Sequence, residues 1–107
     1  MLNPEIKNKI VNSLIPMRPE KIILFGSYGY GIPDSESDID ILFIKDIPEE
    51  EVRKFRLKIK KVLWEEFNAQ DIYFDVVVDS EERVRRRIVL GDLFYEEIFT
   101  KGEIIYA

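Results

Sequence analysis

The 107-residue chain contains neither cysteine nor histidine. Without cysteine it can form no disulfide, thiolate zinc site, iron–sulfur cluster or thiol nucleophile. Without histidine it has no imidazole metal ligand and no Ser-His-Asp triad. Any general base must therefore be a carboxylate, a lysine or a tyrosine, and any bound metal must be a hard cation held by oxygen atoms.

Long apolar runs and a secretion signal are also missing from the sequence. No segment approaches the roughly 20 apolar residues of a membrane span, and the first ten residues lack a signal-peptide pattern. We therefore expect a cytoplasmic protein without a membrane partner. The formal net charge is −5, and an acidic chain is a poor bulk binder of nucleic acid, so a nucleic-acid partner is left open but not favoured.

The length and the hydrophobic periodicity predict one small α/β domain over residues 1–107. The pattern alternates between helical and strand periods, which favours a compact α/β fold. The predicted strands are residues 21–25, 38–44, 72–78 and 103–106. The predicted helices begin at Pro4 after an Asn3 cap, near residue 46, after a Ser80 cap and after an Asp92 cap. Residues 26–37 are expected to form a loop with about one helical turn.

Three aspartates stand out against this predicted sheet. Asp38 and Asp40 lie two residues apart at the start of the second strand, so their side chains share a face, and Asp75 lies within the third strand, where acidic residues are depleted. Two unpaired carboxylates about 4 Å apart repel by roughly 4 kcal/mol at an effective dielectric of 20. Mg²⁺ or Mn²⁺ would remove this repulsion. Taken singly, the position of each aspartate also has an explanation that involves no metal: the residue could lie at a solvated strand edge or form an ion pair with lysine or arginine.

A Gly-Ser pair follows the first predicted strand. Gly26 and Gly29 permit close approach of the backbone, and the amide and hydroxyl of Ser27 are suited to phosphate oxygens. Because Mg²⁺ completes its coordination shell with water and phosphate oxygens, a phosphate donor is the natural substrate for such a site. The glycine-rich motifs of dinucleotide-binding and P-loop folds are absent.

Gly26-Ser27, ten further residues and then Asp38-Ile39-Asp40 resemble the signature of the DNA polymerase β-like nucleotidyltransferase superfamily. The small size, the later strand carrying Asp75 and the ending KGEIIYA resemble its minimal nucleotidyltransferase branch. The resemblance implies the fold of that superfamily, a mixed sheet of about four strands flanked by helices. It also implies ATP or another NTP as substrate, and two Mg²⁺ ions. It implies that Gly26 and Ser27 hold phosphates, that Asp38 and Asp40 ligate the metals, and that Asp75 completes the metal site and helps to deprotonate an acceptor hydroxyl.

Many members of this branch are antitoxins paired with a HEPN-domain ribonuclease toxin, and some transfer AMP to a toxin tyrosine. The resemblance therefore implies a protein adenylyltransferase with a HEPN-type toxin as its partner; a homo-oligomer is left open. The family often reads GSxARG in the loop, whereas this chain has Tyr30 at the arginine position. This departure favours an alternative, in which the chain is a binding module that neutralises a toxin by occlusion with little or no catalysis.

Two basic segments and an aromatic segment complete the candidate surfaces. The polar side of the second long helix is basic and is interpreted as a solvated face, with a patch for a partner or RNA as the alternative. Four arginines follow the third strand and are suited to phosphates or an acidic partner; we expect at most two of them to point together. They are Arg83, Arg85, Arg86 and Arg87. Phe94 and its neighbours are expected to pack on the sheet, with exposure to a partner as the alternative.

Overall fold

The computed structural model describes residues 2–31 and 38–107 as an α/β domain built on a four-stranded sheet. The strands are β1 (Lys21–Phe25), β2 (Ile39–Ile44), β3 (Phe74–Asp79) and β4 (Glu103–Tyr106). Their order in the sheet is β3-β2-β1-β4; β2 and β3 are parallel, and β1 pairs antiparallel with β2 and with β4. The expected mixed sheet is confirmed. The part of the predicted loop at residues 32–37 lies outside the described residues.

Three of the described α-helices begin at a residue whose side chain caps the free backbone amides of the first turn. The α-helices are α1 (Pro4–Leu14), α2 (Gly26–Gly29), α3 (Val52–Phe67), α4 (Glu81–Val89) and α5 (Leu93–Lys101), with short 3₁₀ turns at Ile15–Met17, Glu49–Glu51 and Asn68–Gln70. The side chains of Asn3, Ser80 and Asp92 accept hydrogen bonds from backbone amides in the first turns of α1, α4 and α5. These three caps confirm the predicted starts.

Helices pack on both faces of the sheet. Successive side chains of a strand point to opposite faces, and in the central strands both sets are largely apolar. One face buries Ile39, Ile41 and Phe43 of β2 against α1 and α3. The other face buries Leu42 and Ile44 against α4 and α5. The second face continues past this apolar packing toward the start of β2, where Asp40 occupies the corresponding position. The helices thus cover both faces of the sheet, and the end of the sheet at the start of β2 carries a polar side chain, that of Asp40.

Several boundaries differ from the sequence expectations. β2 begins at Ile39, so Asp38 precedes the strand instead of opening it, and β3 begins at Phe74 instead of residue 72. The turn before β3 explains the second shift: Asp71 has a left-handed backbone (φ 60°) and accepts a hydrogen bond from the Tyr73 hydroxyl at 2.7 Å. None of the helices within residues 2–31 and 38–107 is long and apolar enough to cross a membrane.

Candidate active site

The paired strands β2 and β3 bring the three predicted aspartates to one end of the sheet. Asp40 is the direct cross-strand neighbour of Asp75 in the parallel register, so the two side chains lie on the same face. Asp38 lies immediately before β2 and is exposed, Asp75 is exposed, and Asp40 is half-buried. Among the described residues none of the three forms an ion pair with lysine or arginine. Within the described part of the chain, Asp40 thus lies near two other acidic residues and has no basic ion-pair partner.

Gly26 lies directly against the carboxylate of Asp40. Its φ is +64°, a left-handed conformation that favours glycine, and a Cβ at this position would lie 2.0 Å from Asp40 Oδ2. Gly29, one turn later in α2, comes as close to the backbone: a Cβ there would lie 2.3 Å from the Leu24 carbonyl oxygen. Both glycines thus allow the segment that carries Ser27 to fold tightly over the end of β1 and beside Asp40.

The electrostatic environment of Asp40 reflects this crowding. Four causes together raise its pKa from 3.8 to about 6: burial first, then the negative charge of Asp75, that of Asp38, and a hydrogen bond with Asp75. The raised pKa means that the ionised form of Asp40 is disfavoured, first by burial and second by the two neighbouring carboxylates. A cation bound there would lower the cost of ionising Asp40.

The donor set agrees chemically with a hard divalent cation. Carboxylate oxygens on Asp38, Asp40 and Asp75 are the ligands that Mg²⁺ and Mn²⁺ prefer, and the excess negative charge at Asp40 supplies an electrostatic reason for a cation. Within residues 2–31 and 38–107, however, no three acidic side chains already stand close enough together to hold a metal ion. A metal at this end of the sheet would therefore have to draw the exposed carboxylates of Asp38 and Asp75 inward.

Tyr30 occupies the position where the resemblance leads one to expect arginine. It is half-buried against the α4–α5 face of the sheet. Burial, followed by the charge of Glu97, raises its pKa, and Asp40 contributes in the same direction. The residue beside the carboxylates at this position is thus a neutral phenol.

An exposed apolar surface borders this end of the sheet. We call it the apolar ridge; it spans the turn between α4 and α5 and consists of Val89, Leu90, Leu93 and Phe94, which are 85%, 79%, 75% and 51% exposed. Phe94 packs edge-on against Phe25 with ring centroids 5.5 Å apart, and Phe25 is the cross-strand neighbour of Asp40. Tyr95 and Ile98 are buried on the sheet as expected. Phe94 is half exposed instead, as in the alternative in which this segment meets a partner.

Asp79 at the far end of β3 was not singled out by sequence reasoning. Its carboxylate accepts hydrogen bonds from Arg83 Nε at 2.6 Å and from the Tyr95 hydroxyl at 2.6 Å. Arg83 also donates to the Ile47 carbonyl at 2.8 Å. The sequence signal was the spacing of Asp75, Val77 and Asp79 on one strand face, which places a second acidic residue on the same side as Asp75.

Comparison with known proteins identifies the class of protein that this fold and this site define. Residues 5–106 match the nucleotidyltransferase domain family, so the chain belongs to that family and is a nucleotidyltransferase. One relative, from Methanocaldococcus jannaschii, is named putative protein adenylyltransferase MJ0604 and is 34% identical over 89 residues, which are 83% of this chain and 80% of the relative.

Two solved structures share the fold. A crystal structure of a toxin-antitoxin with AMP-PNP has a TM-score of 0.63 and 25% identity, covering 94% of this chain and 73% of the other. A crystal structure of a mutant of the toxin-antitoxin MntA-HpeT has a TM-score of 0.61 and 22% identity, covering 99% of this chain and 74% of the other. The resemblance to minimal nucleotidyltransferases and the expected fold class are confirmed by these comparisons.

Proposed function

We propose that the chain transfers AMP from ATP to a hydroxyl group of a partner protein, using Mg²⁺ held by Asp38, Asp40 and Asp75. The observation that carries the proposal is the cross-strand pairing of Asp40 with Asp75, with Asp38 adjacent. A stable domain has little reason to keep such a set of repelling carboxylates unless a cation offsets the repulsion. The relative named as an adenylyltransferase and the neighbour crystallised with AMP-PNP support the choice of nucleotide.

In the proposed reaction, a bond forms between the acceptor oxygen and the α-phosphorus, and the bond from that phosphorus to the pyrophosphate oxygen breaks. Asp75, exposed on its strand, accepts the proton of the acceptor hydroxyl. Asp38 and Asp40 serve as metal ligands, and Gly26 and Ser27 hold phosphate oxygens next to Asp40. Mg²⁺ at this position would offset negative charge on the attacking and leaving oxygens.

The apolar ridge supports a protein acceptor. Phe94 connects the ridge to the site, because it packs on Phe25, the cross-strand neighbour of Asp40. Exposed apolar surface of this kind marks interaction sites. A domain of this size offers little surface with which to enclose an acceptor by itself. A partner that packs on the ridge would present its hydroxyl to Asp75. We propose a HEPN-type toxin as this partner; the toxin-antitoxin neighbours support the choice.

One observation favours the second candidate, a module that inhibits its partner by occlusion. Tyr30 provides a neutral side chain near Asp40 where the family often has arginine, and a missing cation weakens stabilisation of a triphosphate. In this alternative the apolar ridge still binds the partner, but little or no nucleotide is transferred.

A transfer assay separates the two candidates. The chain is incubated with Mg²⁺, ATP labelled on its α-phosphate and the protein encoded by the neighbouring gene. We expect labelling of the partner, lost in EDTA and reduced at least about a hundredfold in Asp40→Asn and Asp75→Asn. Asp46→Asn, which removes an exposed carboxylate outside the cluster, should retain labelling. A stable complex without labelling, equally tight in all variants, would instead establish occlusion.

A further inference from the structure

A cleft lined largely by arginine lies between α3 and α4, at the opposite end of β3 from Asp75. The cleft has a volume of about 510 Å³, and we call it the arginine cleft. Its lining residues are Glu49, Val52, Arg53, Arg56, Asp79, Arg83, Arg86 and Arg87. Asp79 lies four residues after Asp75 on β3, which is roughly 13 Å along a strand, so the cleft is separate from the candidate active site.

The basic residues that line the cleft are all arginines. Five of the seven arginines in the chain line it, and none of the nine lysines does, although Lys54 lies next to Arg53 on the same helix. Arg83, Arg86 and Arg87 share one face of α4 because their spacing is i, i+3 and i+4. The expectation that at most two of the α4 arginines point together is therefore wrong. The chain as a whole carries a net charge of −5, which makes this local excess of positive charge more distinctive.

The arginines of the cleft are only partly neutralised by the chain itself. Arg83 is held by Asp79 and the Ile47 carbonyl, and Arg87 contacts Asp92 at 2.8 Å. Arg86 reaches Glu82 only at 4.0 Å. Arg53 and Arg56 are exposed and form no ion pair with another described residue. Three guanidinium groups thus remain largely available to a ligand, next to one that is fixed in place.

We propose that the arginine cleft binds phosphate groups. Guanidinium groups bind phosphate oxygens in pairs of parallel hydrogen bonds, which lysine cannot do, and this explains a lining of arginine without lysine. Val52 is the one apolar side chain among the lining residues. A protein partner would ordinarily need an apolar or aromatic anchor at such a position, so the lining favours a phosphate ligand over an acidic protein segment. The volume is in the range of sites for small ligands.

Calorimetric titration with inorganic tripolyphosphate tests the proposal. The titration is done in EDTA, so that a metal-dependent site at the aspartates does not contribute. We expect saturable binding, weakened roughly tenfold or more in the double variant Arg53→Gln/Arg56→Gln and in Arg86→Gln. The same variants should keep the melting temperature measured without ligand. Arg86→Lys should lose part of the affinity, because it keeps the charge but not the paired hydrogen bonds.

Arg85 provides the matched control. It precedes Arg86 on α4 and exposes 62% of its side chain against 63% for Arg86, but it does not line the cleft. Arg85→Gln should therefore change the affinity by less than about twofold. Equal weakening by Arg85→Gln and Arg86→Gln would mean that only net charge matters and would overturn the proposal, as would the absence of tripolyphosphate binding.

Two further ligands distinguish the source of the phosphate. If a single-stranded oligouridine binds and is weakened by the same variants, the phosphates belong to a nucleic-acid backbone; if it does not bind, they belong to a free oligophosphate. A peptide of ten glutamates should bind much more weakly than tripolyphosphate. Equal or tighter binding of that peptide would assign the cleft to an acidic protein partner and overturn the phosphate assignment.

Discussion

Replacing Asp40 by asparagine should stabilise the metal-free protein while it removes activity. Asparagine has nearly the same shape as aspartate but carries no charge, so the substitution removes the repulsion from Asp75 and Asp38 without leaving a cavity. Ionised Asp40 is costly in the folded chain, since burial and these two neighbours raise its pKa from 3.8 to about 6. The unfolded chain has no such cost.

The sign and size of the effect follow from the shift in pKa. The folded state holds the Asp40 proton more tightly than the unfolded state, so the wild-type chain loses stability as the pH rises from about 4 to about 6. A shift of about two units corresponds to roughly 3 kcal/mol. Because Asp40 is only half-buried, solvent screening reduces this to about 1 kcal/mol. For a domain of this size that is a rise of about 5 °C in melting temperature.

The assay is thermal and urea denaturation in EDTA at pH 4 and pH 8. We expect Asp40→Asn to match the wild type near pH 4 and to be more stable by about 1 kcal/mol at pH 8. Asp46→Asn serves as the control for the general reduction of net charge. The reasoning is refuted if Asp40→Asn is no more stable than the wild type at pH 8, or if Asp46→Asn stabilises as much.

Three further tests, one of them with a matched control, address other parts of the structure. Gly26→Ala should lower the free energy of unfolding by about 2 kcal/mol or more, because the added Cβ meets Asp40 Oδ2 and φ is positive; unchanged denaturation would contradict the packing. Tyr95→Phe removes the hydrogen bond to Asp79 and should cost about 1–2 kcal/mol, whereas Tyr73→Phe, at an exposed hydrogen bond, should cost less than about 0.5 kcal/mol. Leu93→Ser on the apolar ridge should weaken partner binding at least about tenfold in a pull-down or calorimetric titration while leaving the melting temperature unchanged; unaltered binding would place the partner elsewhere.

The order of elements was predictable because each one has a local signal. The Asn3 cap with Pro4, the apolar run of β1 and the Asp92 cap of α5 each lie within a few residues of the structure they specify. Asp40 and Asp75 could each be recognised as acidic residues in predicted strands, whereas their pairing depends on the parallel register of β2 and β3. The comparisons confirm the family, whereas the roles of these aspartates remain predictions.

Contacts that depend on packing could not be predicted in the same way. The bond from Tyr95 to Asp79 joins residues 16 positions apart on different elements, and it exists only once α5 is seated on the sheet. The arginine cleft requires α3 and α4 to lie side by side, although the common face of Arg83, Arg86 and Arg87 follows from helix geometry alone. The exposure of Phe94 depends on the angle between α4 and α5, which no local pattern encodes.

The position of β3 at the outside of the sheet has a consequence for colloidal behaviour. An outer strand offers unpaired backbone groups to other chains, and proteins often protect such strands with charged residues. β3 is one of the two outer strands and carries Asp75 near its start and Asp79 at its end. The carboxylate of Asp75, which we propose to act in catalysis, would thereby also discourage aggregation between exposed strands. Neutralising Asp75 should therefore make the purified protein less soluble as well as inactive.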